Sequence, residues 1–104
     1  MDSLECDRIT RYVLPAVRIS VAEGLKERYS MNQQQIAAKL GVAQVAVSKY
    51  LNGRYSTSVK KIRNYINSNN LADEVCQTAA LSSNSNHINS MIDKLCTNII
   101  DNKL

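Results

Sequence analysis

NQQQIAAKLGVAQVAVSKYLNG, residues Asn32 to Gly53, reads as two short helices joined by a tight turn. Leu40-Gly41-Val42 is the corner, because glycine enters the left-handed backbone region that ends one helix and re-aims the chain. Before the corner, Ile36, Ala37 and Leu40 fall on one helical face. After it, Val47, Tyr50 and Leu51 do the same. Ala37 is small where two crossing helices need close approach. Gln44, Val45, Ser48, Lys49 and Asn52 lie between the buried positions and form an outward face. Amides suit adenine edges, lysine suits guanine or phosphate, and valine suits a thymine methyl, so this face matches the major groove of DNA.

The charge pattern points the same way. The chain has 104 residues and a formal net charge of +4. No acidic residue lies between Glu27 and Asp73, while Arg28, Lys39, Lys49, Arg54, Lys60, Lys61 and Arg63 fall in that interval. A polyanion is the expected partner. Cys6, Cys76 and Cys96 are odd in number and far apart, which predicts free thiols in a reducing cytoplasm rather than a disulfide framework. Together with His87 they lack metal-ligand spacing, so neither a metal nor another cofactor is expected. Asp2, Glu5 and Asp7 and the lack of an apolar run argue against a signal peptide, and no segment has the apolar length to span a membrane. The expectation is a soluble, cytoplasmic protein.

Taken in order, the pattern predicts a short helix over Ser3 to Tyr12, with Ser3 as cap, Glu5 and Asp7 near its first turn, and Leu4, Ile9 and Val13 facing inward. Pro15 is expected to reset the chain and start a second helix reaching about Tyr29. Val17, Val21, Leu25 and Tyr29 recur every fourth residue as its core stripe, with Ala22 beside it. Gly24 weakens that helix by up to ~1 kcal/mol and leaves room for close packing. Asn32 or Ser30 caps the next helix. The recognition helix then runs from Ala43 or Gln44 to Leu51. A helix capped by Ser56 or Thr57 follows over Ser58 to Ser68, with Val59, Ile62, Tyr65 and Ile66 inside. Another covers Leu71 to Ala80, packing Leu71, Val75, Cys76 and Ala79. The last covers His87 to Asn102. No run alternates as a strand would.

Ile88, Met91, Ile92, Leu95 and Ile99 make the last helix strongly apolar on one side. Ile88, Ile92, Leu95 and Ile99 take the alternating four-three spacing of a coiled-coil seam, which Met91, Cys96 and Ile100 widen, and this predicts a dimer interface, since two-fold symmetry doubles the base contacts available to one short recognition helix. The competing reading is a helix that simply closes the domain core.

Residues Gln33 to Gly53 resemble the helix-turn-helix of the lambda-repressor and Cro type, the XRE family. Gln33 opens the first helix, Ala37 takes the small position, Gly41 the turn, Val42, Val47 and Tyr50 the core positions, and Leu51-Asn52-Gly53 the close. The wider run from about residue 14 to 54 is similar to a group of small archaeal XRE-like regulators. It shares their Pro15-Ala16-Val17-Arg18 segment, their Gln33 to Ala37 helix, the Leu40-Gly41-Val42 turn and Val47-Ser48-Lys49-Tyr50-Leu51. The resemblance implies DNA contact by Gln33 and Gln44. One position departs: the family usually has Ser or Thr before the recognition helix, and here it is Ala43.

The combined expectation is an all-α, lambda-repressor-like helix-turn-helix bundle with additional C-terminal helices. Residues 1–68 form the DNA-binding domain and 69–104 a helical extension for dimerisation. The protein is read as a sequence-specific regulator of transcription that binds double-stranded DNA as a homodimer. Gln44, Val45, Ser48 and Lys49 contact bases; Gln33, Asn52, Arg54, Lys60 and Lys61 contact phosphates. A second reading, from another class, is an antitoxin or adaptor whose C-terminal helices bind a partner protein. No paired carboxylates, activated nucleophile or phosphate loop points to an enzyme.

Overall fold

The structure is a computed structural model that describes residues 3–82 and 84–102, with side chains for 11–82 and 84–101. The inward facing of Leu4 and Ile9, the roles of Ser3, Glu5 and Asp7, the surroundings of Cys6, and Asp2 lie outside what is described. Six helices are present among the described residues, with no strand: α1 Ser3–Tyr29, α2 Gln33–Leu40, α3 Gln44–Leu51, α4 Thr57–Ser68, α5 Asp73–Leu81 and α6 Ser85–Asn102. The all-α bundle expected from the sequence is what forms. None of the described helices is long and apolar enough to cross a membrane.

The first expectation to fall is the break at Pro15. One continuous helix runs through it, with Pro15 inside. Proline in a helix interior forfeits a hydrogen bond and crowds the preceding turn, at a cost of about 3 kcal/mol. Burial outweighs that cost. Val13, Ala16, Val17, Ile19, Val21, Ala22 and Leu25 are all essentially inaccessible, and each fully buried Val, Leu or Ile contributes roughly 1.5–3 kcal/mol. Every other helix packs against α1. The stripe ends earlier than its period predicts, because Tyr29 is 40% exposed.

Local signals set the remaining boundaries. Asn32 caps α2 in a reciprocal capping box: its side chain accepts from the Gln35 amide at 2.8 Å, and the Gln35 side chain accepts from the Asn32 amide at 2.9 Å. Gly41 ends α2 with φ +69, and the amides of Gly41 and Val42 both donate to the Ala37 carbonyl. Ser56 caps α4 by accepting from the Val59 amide. Asn84 accepts from the Asn86 and His87 amides, so α6 starts at Ser85, two residues before the expected His87. Helix α5 begins at Asp73 rather than Leu71.

Helix α6 turns its apolar stripe inward. Ile88, Ile92 and Ile99 are buried in the same cluster as α1, while Met91 and Leu95 are half-buried. Three of the five residues expected at a dimer interface are therefore already covered within the protomer. Two polar bonds tie this region to the helix-turn-helix. Asn89 donates from Nδ2 to the Leu40 carbonyl at 2.9 Å, and Lys39 donates from Nζ to the Ser82 carbonyl at 2.6 Å.

Gly24 is where α1 meets α5. A Cβ added there would sit 2.5 Å from Cys76 Sγ. Helix propensity alone favours Gly24→Ala by about 1 kcal/mol, but overpacking costs about 1–3 kcal/mol. Gly24→Ala is expected to lower stability in denaturant titrations, and adding Cys76→Ala to it should recover most of the loss. Burial pushes the Cys76 and Cys96 thiols up from 9.0 to about 11. Each thiol stays neutral in the fold and ionises earlier when unfolded. Their contribution is therefore complete below pH 9.0 and lost as pH rises toward about 11. Unfolding midpoints followed across that window should fall, and fall less in the Cys76→Ala, Cys96→Ala double variant.

Candidate nucleic-acid interface

The two helices of the opening motif meet at Gly41 with their apolar faces inward. Ile36, Ala37 and Leu40 of α2 and Val47 of α3 are buried. Tyr50, Leu51 and Val42 pack half-buried on the same cluster. With Val47 fixed against α1, the helical period turns Gln44, Val45, Ser48, Lys49 and Asn52 outward. Gln44, Lys49 and Asn52 are exposed, Val45 is 64% exposed, and Ser48 is half-buried.

Polar contacts organise this face. Asn52 donates from Nδ2 to the Ser48 carbonyl at 2.8 Å and to Ser48 Oγ at 3.3 Å. The Asn52 amide nitrogen is thereby occupied, while its Oδ1 and the Ser48 hydroxyl proton remain available to a partner. At the other end, Ala43 supplies no side-chain cap, and the Ala46 and Val47 amides turn to the Ala43 carbonyl. The start of α3 is therefore open, with Gln44 in its first turn.

The basic interval of the sequence divides in two. Arg63 makes a two-pronged pair with Glu23, at 3.0 Å from Nε and 2.8 Å from a terminal nitrogen. That contact holds its guanidinium pKa above the ordinary value. Arg28 pairs with Asp73 at 2.8 Å, and Lys39 bonds the Ser82 carbonyl. Lys49, Arg54, Lys60 and Lys61 are exposed and have no ion pair among the described residues. The uncommitted positive charge thus sits on α3, the loop after it and the first turn of α4. Of the expected phosphate contacts, Asn52, Arg54, Lys60 and Lys61 are exposed and Gln33 is half-buried at the start of α2. The sequence could not separate the committed arginines from the free lysines, since their acidic partners lie 40 and 45 positions away.

Residues 24–68 match a family model described as Helix-turn-helix, a span from the last turns of α1 to the end of α4. No curated protein and no solved structure matches the chain.

Ala43 offers a direct check on the local physics. Serine at an uncapped helix start normally adds about 1 kcal/mol through a side-chain bond to a first-turn amide. Ala43→Ser is expected to raise the unfolding midpoint in denaturant by an amount of that order, read by circular dichroism.

Proposed function

We propose that residues 24–68, which match the helix-turn-helix family model, form an XRE-like DNA-binding unit, and that the chain is a sequence-specific transcriptional regulator acting on double-stranded DNA. The observation that carries the reading is the outward face of α3. Val47 anchors the helix in the core, Val45 and Lys49 stand exposed on the opposite side, and Gln44 stands exposed at the helix start. In the proposed mechanism α3 enters the major groove. Gln44 reads an adenine edge and Lys49 a guanine edge. Val45 meets a thymine methyl, and the Ser48 hydroxyl donates to a nearby acceptor. Gln33, Asn52, Arg54, Lys60 and Lys61 hold the backbone and fix register. Arg54 and the lysines of α4 suit that task because no carboxylate pairs with them among the described residues.

The protein acts as a homodimer in this proposal, since one eight-residue helix reads too few base pairs for strong selectivity. The apolar surface left for a second copy lies beside α6. Leu71, Met91 and Leu95 line a groove that Glu74 and Lys94 border. Opposite charges at its two sides allow a two-fold pairing in which Glu74 of each copy faces Lys94 of the other.

The test is selection of bound duplexes from random DNA, followed by anisotropy titrations over a salt series. Lys49→Ala should relax preference at one position, losing about 1–3 kcal/mol of discrimination. Lys60→Ala should weaken selected and random duplexes alike and flatten the salt slope by about one unit. Equal effects of both substitutions on both kinds of DNA would contradict the division into reading and anchoring residues.

A further inference from the structure

A cleft of ≈ 370 Å³ lies between α1, α4 and the start of α5, and none of its lining residues belongs to α2 or α3. Its floor is one stripe of α1: Ser20, Glu23 and Glu27. Its walls carry the two ion pairs already described, Arg63–Glu23 from α4 and Arg28–Asp73 at the start of α5. The volume is at the low end of the range for small-molecule sites.

Two groups in the cleft are left over. The Ser20 residue is 2% exposed, and its Oγ is buried without a hydrogen-bond partner. A buried hydroxyl in that state costs about 1–3 kcal/mol, and few persist without a reason. Glu27 is exposed and has no ion pair among the described residues, although its charge acts on nearby Arg63. The lining holds three carboxylates, Glu23, Glu27 and Asp73, against two guanidiniums, Arg28 and Arg63. Both guanidiniums already have carboxylate partners, so the surplus is one negative charge together with acceptor oxygens. That surplus calls for a donor of several N–H bonds carrying positive charge. A bare metal ion fits poorly, because no group of three His, Cys, Asp or Glu side chains among the described residues is arranged to hold one.

We propose that this cleft binds a small organic cation bearing an ammonium or guanidinium head, with Glu27 pairing the charge and Ser20 Oγ accepting a hydrogen bond from it. The site is separate from the α3 face, and its occupancy is measured without DNA, so the proposal stands or falls independently of the regulator reading.

The whole chain, free of DNA, is titrated calorimetrically with agmatine and putrescine, and with inorganic phosphate as the anionic counter-probe. The expected result is one saturable site for at least one of the two amines and none for phosphate. Glu27→Gln and Ser20→Ala should each weaken that binding about tenfold, the loss of a charge-assisted hydrogen bond. Asp101→Asn, which removes the same charge from an exposed position on α6 outside the cleft, should leave it unchanged. Glu27 is exposed, so its variant keeps the test decisive even where Ser20→Ala alters the fold. The proposal is overturned if neither amine saturates by about 10 mM, a limit weaker than most specific small-ligand affinities. It is equally overturned if Asp101→Asn weakens binding as much as Glu27→Gln, or if phosphate is the species that binds.

Discussion

Burial of one long helix on nearly all sides is the constraint from which the remaining structure follows. Helix α1 passes through Pro15 because an apolar row on both sides of it, Val13 before and Ala16, Val17, Ile19, Val21, Ala22 and Leu25 after, is inaccessible. The helix lost a local hydrogen bond and kept a row of apolar contacts worth several times as much. Once α1 is the common support, the placement of α3 is fixed by Val47, and that of α4 by Val59 and Ile66. The face of α3 turned to solvent is then a geometrical remainder: it is whatever α1 does not hold.

The same packing decides which charges are free. Glu23 lies on α1 beside α4, so Arg63 is neutralised where it stands, at 25% side-chain exposure against 19% for its partner. Half-buried and two-pronged, this pair is better formed than the exposed Arg28–Asp73 contact, whose partners are 47% and 48% exposed. The pairing leaves Lys49, Arg54, Lys60 and Lys61 unbalanced on and after α3, and a near-balanced polar cleft between α1, α4 and the start of α5. A modest net charge of +4 is thus arranged as two chemically different surfaces.

The helix-turn-helix was legible because its determinants are local. Asn32 with Gln35, Gly41 and Ser56 each act within a few residues, and each does what its position predicts. The missing cap at Ala43 was equally readable. What the sequence could not show depends on distant partners. Pro15 looked like a boundary because its local cost is visible and the burial that offsets it is not. Tyr29 continued a periodic stripe past the point where any helix covers it. The apolar row of α6 was correct as a row, but whether Ile88, Ile92 and Ile99 face α1 or another molecule is decided by chain topology. The pairing of Arg63 with Glu23 and the cleft beside it belong to the same class.

Asn89 supplies the donor that the last carbonyl of α2 needs, and Lys39 reaches in the other direction to Ser82. The bend of the recognition unit is therefore stitched in place by residues far outside it. Cut out at its apparent edge, that unit would keep its sequence but lose both stitches, and mobile water would replace Asn89 at the Leu40 carbonyl, the joint on which the direction of α3 depends. Transplanting this helix-turn-helix into another scaffold with its geometry intact would mean carrying the terminal helices along with it.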